Sequence, residues 1–363
     1  MAAGRLAIIA ALAAPLVAGS ISARLDEYVR AGTIAGAVTL ISLPGRPDCI
    51  DAVGYQDLER KTAMRPDTIF QIMSMTKPVT AVAVMVLADE GRLAIDDPVA
   101  KYLPGFDRRI TIRHLLTHTS GLSENDPPPL RDDAVKRAHT LAEVASFIAR
   151  EPVETEPGTR SQYSGPGFAV LGRIVEIASG QPLDRFLAGR IFRRLGMRDT
   201  DFFPPASQRN RIAKVYEMRD GKLTAAAVDL YRQNARYVNP AGGLYSTAAD
   251  MARFLRMTLT GRAPDGSRIL SPAAVAAMRR PQANLPQPAG PCAAYFALGW
   301  QLLPDAPDCR PRMGAGSYGH AGAFGTFMWA DPAKKMVGVF LIQRIAAGKA
   351  EREVFVSIAE AVR

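Results

Sequence analysis

The chain has 363 residues, which at roughly 150 residues per domain allows one large unit or two smaller ones. Hydrophobic residues make up 48% and charged residues 22%, a balance that excludes wholesale disorder, collagen and coiled coil. The net charge of +10 raises the question of an anionic partner, but the bases are 36 Arg and 9 Lys in short clusters such as Arg193-Arg194 and Arg279-Arg280. A nucleic-acid binder concentrates its bases in a patch, arm or recognition helix, so no nucleic-acid partner is expected.

Met1–Ser20 places one arginine before an apolar run, Leu6–Ala18, followed by small residues. This reads as a short secretory signal cleaved near Val17-Ala18-Gly19, and so as an exported protein. A buried N-terminal helix of a cytoplasmic protein is the alternative. The run is shorter than the ~20 residues of a membrane span, so no stable membrane anchor is expected. Ile21–Ala31 then predicts an amphipathic helix stopped at Gly32. Two strands are predicted at Ala35–Leu43 and Ile50–Tyr55, across a turn rich in proline and glycine.

Helical periodicity dominates the middle, in Pro78–Glu90, Ile112–His118, Leu141–Arg150, Gly167–Ser179, Leu183–Leu195, Thr247–Leu259 and Pro272–Met278. Asp184 and Thr247-Ala248-Ala249-Asp250 carry N-terminal cap signals. Strands return at Phe296–Leu303, Ser317–Phe324, Thr326–Asp331 and Met336–Gln343, before a last amphipathic helix, Ala350–Val362. The expected architecture is α+β: one antiparallel sheet built from both chain ends and flanked by helices, plus an all-helical lobe. The α/β lobe takes about 21–75 and 260–363, the helical lobe about 76–259. Three cysteines, Cys49, Cys292 and Cys309, form no CxxC. A Cys292–Cys309 bridge stays open, because spacing alone does not imply it.

Several motifs fail on context. Gly314-Ala315-Gly316-Ser317-Tyr318-Gly319 is formally GxGxxG, but it lies between strands and opens no helix. His114 and His118 have metal-ligand spacing without HExxH or a third ligand, so packing or capping is expected and no metal. No GxSxG is present.

Ser74-Met75-Thr76-Lys77 survives. An apolar run, Ile69–Met73, leads into a helix beginning near Ser74, which sets serine and lysine one turn apart on one face. A serine at a helix N-terminus meets free N–H groups and a dipole that favour a developing anion. A buried lysine beside it loses solvation, and the lowered proton affinity lets it take the serine proton.

Ser74–Thr80, with Leu87–Leu93, Asp96–Val99 and Thr111–Leu122 after it, resembles the serine β-lactamase-like superfamily, nearest its class C β-lactamases and family VIII carboxylesterases. The similarity continues through Pro157-Gly158, Tyr163-Ser164, Leu195-Gly196-Met197, Gly242–Thr247 and Gly319–Gly322. It implies a β-lactamase/penicillin-binding-protein-like fold from residue 21 onward, with no cofactor. The SxxK pair maps on Ser74 and Lys77. The Tyr-x-Asn element maps on Tyr163-Ser164-Gly165, with glycine in place of asparagine, and the Lys-Thr-Gly element on His320-Ala321-Gly322, with histidine in place of lysine.

Both replacements weaken the hold on a β-lactam's amide and carboxylate and leave acyl transfer intact. The resemblance therefore implies hydrolysis of a small-molecule ester, or of an amide, through an acyl-enzyme on Ser74. Lys77 and Tyr163 would share the base role, and the lysine's positive charge would make the phenol a base near neutrality. The Ser74 and Ala323 N–H groups would form the oxyanion hole, with Ala323 on the strand edge. His320, Ala321 and Gly322 would face substrate, and a side chain at Gly322 would block it. Met73 and Met75 read as pocket wall or core. Specificity is expected in the Ser123–Arg137 and Pro281–Cys292 loops. The alternatives are a β-lactamase or D-Ala-D-Ala peptidase using the same serine, and a non-catalytic penicillin-recognising protein.

Overall fold

Strands from both parts of the chain form one antiparallel sheet; the helix Ala248–Thr260 packs on one of its faces, and the first and last described helices pack on the other. The computed structural model describes residues 21–228, 235–282, 286, 292–305, 308–309, 313–346 and 349–360. The expected signal Met1–Ser20 and most of the Pro281–Cys292 loop lie outside the described residues.

Helix α1 (21–30) leads to strands β1 (Gly36–Ser42), β2 (Cys49–Asp57), β3 (Thr62–Ala63) and β4 (Phe70–Gln71). Helices α2 (Thr76–Asp89), α3 (Ile112–Leu116), α4 (Asp133–Ala138), α5 (Leu141–Ile148) and α6 (Gly165–Ser179) follow. Helix α7 (Leu183–Leu187) runs through a π turn into α8 (Arg193–Leu195). A hairpin of β5 (Tyr216–Arg219) and β6 (Lys222–Ala225) precedes β7 (Tyr245–Ser246), α9 (Ala248–Thr260) and α10 (Pro272–Met278). The chain closes with β8 (Tyr295–Phe296), β9 (Gln301–Leu302), β10 (Tyr318–Ala321), β11 (Phe327–Asp331), β12 (Met336–Leu341) and α11 (Lys349–Glu360). The main sheet has eight strands in the order β3-β2-β1-β12-β11-β10-β9-β8.

The central strands are apolar on both faces because both are covered. Val38 and Leu40 of β1, Met328 and Ala330 of β11, and Val337, Val339 and Leu341 of β12 join the main core with the helical region. Their alternates Ala37, Ile41, Trp329 and Phe340 pack with Ile21 and Leu25 of α1 and Phe355 and Val356 of α11. Gly338 is required by this packing, since a Cβ there would lie 2.0 Å from the Trp329 ring.

Three details differ from the sequence expectation, and a fourth, the glycine-rich run before β10, agrees with it. The strand predicted over Phe296–Leu303 is the tight β8–β9 hairpin, turned at Gly299 with φ +80°. Asp184 does not cap α7; it sits in the first turn, and the Glu176 carboxylate accepts the Leu183 N–H at 3.2 Å. Helix α9, assigned to the helical lobe, packs on β1, β11 and β12, so the sheet lobe takes it. Its amphipathic face matches a sheet as well as it matches another helix. The glycine-rich run 314–316 is a turn, where a Cβ on Gly314 would strike the Asp331 carboxylate at 2.2 Å.

Cys292 and Cys309 are disulfide-bonded across a separation of 17 residues. Closing a loop of that size removes unfolded-state entropy worth about 3 kcal/mol. Reduction is expected to lower Tm by several degrees, read by thermal scans with and without a thiol reductant. An unchanged Tm would show that the bridge adds no stability.

Candidate active site

Helix α2 is buried at every position from Thr76 to Leu87, so it runs through the core and offers its first turn no face to water. Pro78 is tolerated because it lies in that first turn, where its missing N–H has no intrahelical partner to lose. A short 3₁₀ turn, Met73–Met75, joins β4 to this helix and carries Ser74. Met73 has φ +49°, a left-handed conformation that is uncommon for a side-chain-bearing residue. Stitches to the 241–246 segment hold the turn: β4 pairs with β7, Ile72 N–H donates to Leu244 O at 3.0 Å, and Leu244 N–H donates to Thr76 Oγ1 at 3.2 Å. Met75 is wholly buried, while Met73 lines a cavity next to the serine turn.

Lys77 is 2% exposed. Its Nζ lies 3.2 Å from Ser74 Oγ, donates to Ala241 O at 2.8 Å, and sits 4.6 Å from the centroid of the Tyr163 ring. Burial, with a contribution from Lys136, pulls its pKa from 10.5 down to about 7. The amine is therefore poised between charged and neutral forms at physiological pH.

Tyr163 immediately precedes α6, whose N-cap Ser164 accepts the Gly167 N–H at 3.1 Å. Burial pushes the phenol up to about 12, against the downward pull of a hydrogen bond with Ser74, and Glu124 adds to the rise. The phenol is therefore protonated at neutral pH. Burial penalises phenolate and ammonium alike, so within this coupled pair the amine is the group nearer its neutral-pH midpoint. At Gly165 a Cβ would meet nothing within 4 Å, so the place of the absent asparagine side chain is open space.

His320 is the penultimate residue of β10, with its ring 6.3 Å from that of Tyr163. Its Nδ1 is 2.7 Å from Ala321 O, and a carbonyl only accepts, so Nδ1 carries the proton. Burial, reinforced by Lys77, lowers its pKa to about 3. The imidazole is neutral, with Nε2 left as an acceptor.

The Gly322 requirement has a different cause from the one expected. A Cβ there would lie 2.1 Å from Thr326 Oγ1 and 2.4 Å from Ile72 O, so glycine lets β10 close against the serine turn instead of clearing room for substrate. Ala323 lies in the turn after β10, off the strand edge where it was expected, and it is exposed. Its N–H makes no hydrogen bond among the described residues.

A cavity of about 520 Å³ opens next to the serine turn, with Gln71, Met73, Asn239, Gly242 and Phe324 in its wall; Ser74, Lys77, Tyr163 and His320 do not line it. Asp132, Asp133 and Arg137, from the loop region expected to govern specificity, form its rim. Among the described residues no group of three or more His, Cys, Asp or Glu converges as a metal-ligand set. No described helix is long and apolar enough to cross a membrane. His114 instead completes a capping box on α3 with Thr111, and His118 is packed against Tyr163.

Sequence reasoning missed the Ala241 carbonyl that anchors Lys77. Its loop is tied to α2 by Thr80 Oγ1, which donates to Pro240 O at 2.8 Å. The turn-rich Asn239-Pro240-Ala241-Gly242-Gly243 was the available signal. A backbone acceptor carries no side-chain signature of its own.

The Beta-lactamase family model matches residues 21–363. Esterase EstB of Burkholderia gladioli is 32% identical over 359 residues, covering 88% of this chain and 89% of that protein. Penicillin-binding protein 4 of Amycolatopsis lactamdurans is 35% identical over 292 residues, covering 77% of this chain and 73% of that one. Among solved structures, "EstCE1, a hydrolase with promiscuous acyltransferase activity" superposes with a TM-score of 0.82 at 26% identity, covering 98% of this chain and 99% of that one. With the family matched over nearly the whole chain, this protein belongs to the Beta-lactamase family, within a serine hydrolase superfamily whose members include esterases and penicillin-binding proteins.

Proposed function

We propose that the protein is a serine carboxylesterase that forms an acyl-enzyme on Ser74. The observation that carries the proposal is Lys77, a buried amine with a pKa of about 7 placed 3.2 Å from Ser74 Oγ. Ser74 Oγ attacks the ester carbonyl carbon while its proton passes to Lys77 Nζ. The oxyanion sits between the Ser74 and Ala323 N–H groups, each worth about 2.7–4 kcal/mol in such a site. As the C–O bond breaks, the Tyr163 hydroxyl gives its proton to the leaving alkoxide and is reprotonated from Lys77. Water then attacks the acyl carbon, its proton is taken by the coupled Tyr163–Lys77 pair, and as the acyl–oxygen bond breaks the pair returns that proton to Ser74 Oγ. These steps need no metal or organic cofactor.

Preference for esters over β-lactams or peptides is supported by His320 and Gly165. A buried neutral imidazole supplies no cation for a substrate carboxylate, and glycine supplies no amide group to hold a substrate amide. Short p-nitrophenyl esters assayed against nitrocefin test this. Ester turnover well above nitrocefin turnover is expected; the reverse would assign the site to β-lactams. His320→Lys is expected to raise the nitrocefin-to-ester ratio at least roughly tenfold, the scale of one added charge-assisted hydrogen bond. An unchanged ratio would remove His320 from substrate recognition. Export from the cytoplasm is part of the same proposal, supported by the apolar leader and by the Cys292–Cys309 bridge, which suits an oxidising compartment.

A further inference from the structure

His118 is 2% exposed and follows α3 with φ +58°, a strained backbone for a residue with a side chain. That conformation coincides with a two-sided grip on the catalytic loop. The His118 carbonyl accepts the Gln162 N–H at 2.7 Å, and its Nδ1 accepts the Ser164 N–H at 3.0 Å. The residues immediately before and after Tyr163 are thus both tied to one histidine. Its ring lies against the Tyr163 ring, with centroids 4.5 Å apart and planes at 32°. Phe168 and Phe296 close the other contacts, at 5.2 and 4.7 Å.

We propose that His118 is the positioning residue for Tyr163, a neutral clamp that fixes the phenol against Ser74 without exchanging a proton. The proposal rests on the acyl-enzyme reading above. An Nδ1 that accepts from an amide must leave its proton on Nε2, so the clamp requires the neutral ring. Burial, with Lys77 and His320 nearby, holds the imidazole pKa well below its ordinary value, which keeps that acceptor available. Neighbouring residues extend the grip: Thr119 O accepts the Gly158 N–H, Gly121 O accepts the Glu154 N–H, and Ser164 Oγ donates to Ser123 O. The 118–123 segment therefore acts as a backbone template for the 154–164 loop, and the imidazole adds a side-chain contact at Tyr163.

The test compares wild type with His118→Leu, His118→Phe and His118→Asn. Leucine removes ring and acceptor, phenylalanine keeps a ring without an acceptor, and asparagine keeps an acceptor oxygen and tolerates φ above zero. Ser74 acylation by a fluorophosphonate probe and kcat and KM for p-nitrophenyl butyrate are read on the soluble fraction. The leucine and phenylalanine variants are expected to lose on the order of 10²-fold in acylation and kcat, as a small misplacement of a catalytic group does, with KM unchanged. Asparagine is expected to recover most of that loss. Where leucine leaves no soluble protein, the phenylalanine and asparagine pair carries the comparison. Equal labelling of wild type and the phenylalanine variant overturns the proposal, as does an asparagine variant as slow as phenylalanine. An unlabelled wild type overturns the acyl-enzyme reading and this proposal with it.

Discussion

Ser74→Ala is expected to abolish fluorophosphonate labelling and to lower p-nitrophenyl ester turnover on the order of 10⁶-fold, the scale of removing a serine nucleophile. The fold should survive, because the serine turn is held by backbone bonds to Leu244 and by the β4–β7 pair, neither of which uses Oγ. Lys77 keeps its bond to Ala241 O in the variant. Adding Lys77→Met to Ser74→Ala should cost little more, since residues that act as one unit are not additive. Retention of more than a few per cent of ester turnover by Ser74→Ala would place the nucleophile elsewhere.

Lys77→Met is expected to be nearly as damaging to activity and to change stability in a pH-dependent way. The amine accepts a proton only when neutral, so wild-type kcat/KM should rise with pH through an apparent pKa of about 7 to a plateau. The phenol, at about 12, adds no falling limb near neutrality. A profile that stays flat from mildly acid to mildly alkaline pH would remove Lys77 as the base.

The stability sign follows from the same shift. An unfolded lysine keeps its proton up to about 10.5, whereas the folded one releases it near 7. Between those values the unfolded state binds more protons, so wild-type stability rises with pH across that window. Methionine does not titrate. Lys77→Met should therefore be most stabilised relative to wild type below pH 7, with the advantage shrinking toward pH 10. Chemical denaturation at pH 6 and pH 9 reads the difference, and an equal gap at both would contradict a buried amine at this position.

Much of this site was legible because its chemistry is local in the chain. SxxK places Ser74 and Lys77 one helical turn apart wherever a helix starts there, and helical periodicity over Pro78–Glu90 predicted that helix. Strands β1, β11 and β12 were legible for a related reason, as short apolar runs bounded by turn residues, the composition of strands covered on both faces. The short β8–β9 hairpin was blurred because a glycine turn inside an apolar run leaves the run's composition unchanged. Helix α9 was assigned to the wrong lobe because an amphipathic face does not name what it packs against.

The sequence by itself determined which groups could react: a serine and lysine on one turn, a tyrosine ahead of a helix, and a histidine, His320, where the Lys-Thr-Gly element maps. The tertiary structure decided what those groups are. Burial among α2, α6 and the 240–243 loop lowers the lysine toward neutrality and raises the phenol to about 12, and it strips the charge from His320. Proton affinity depends on the water excluded and the charges brought near, and both are set largely by residues distant in sequence, as Lys136 is from Lys77 and Lys77 is from His320. The same holds for His118, an unused histidine in the chain and a clamp on Tyr163 only once two loops are brought edge to edge.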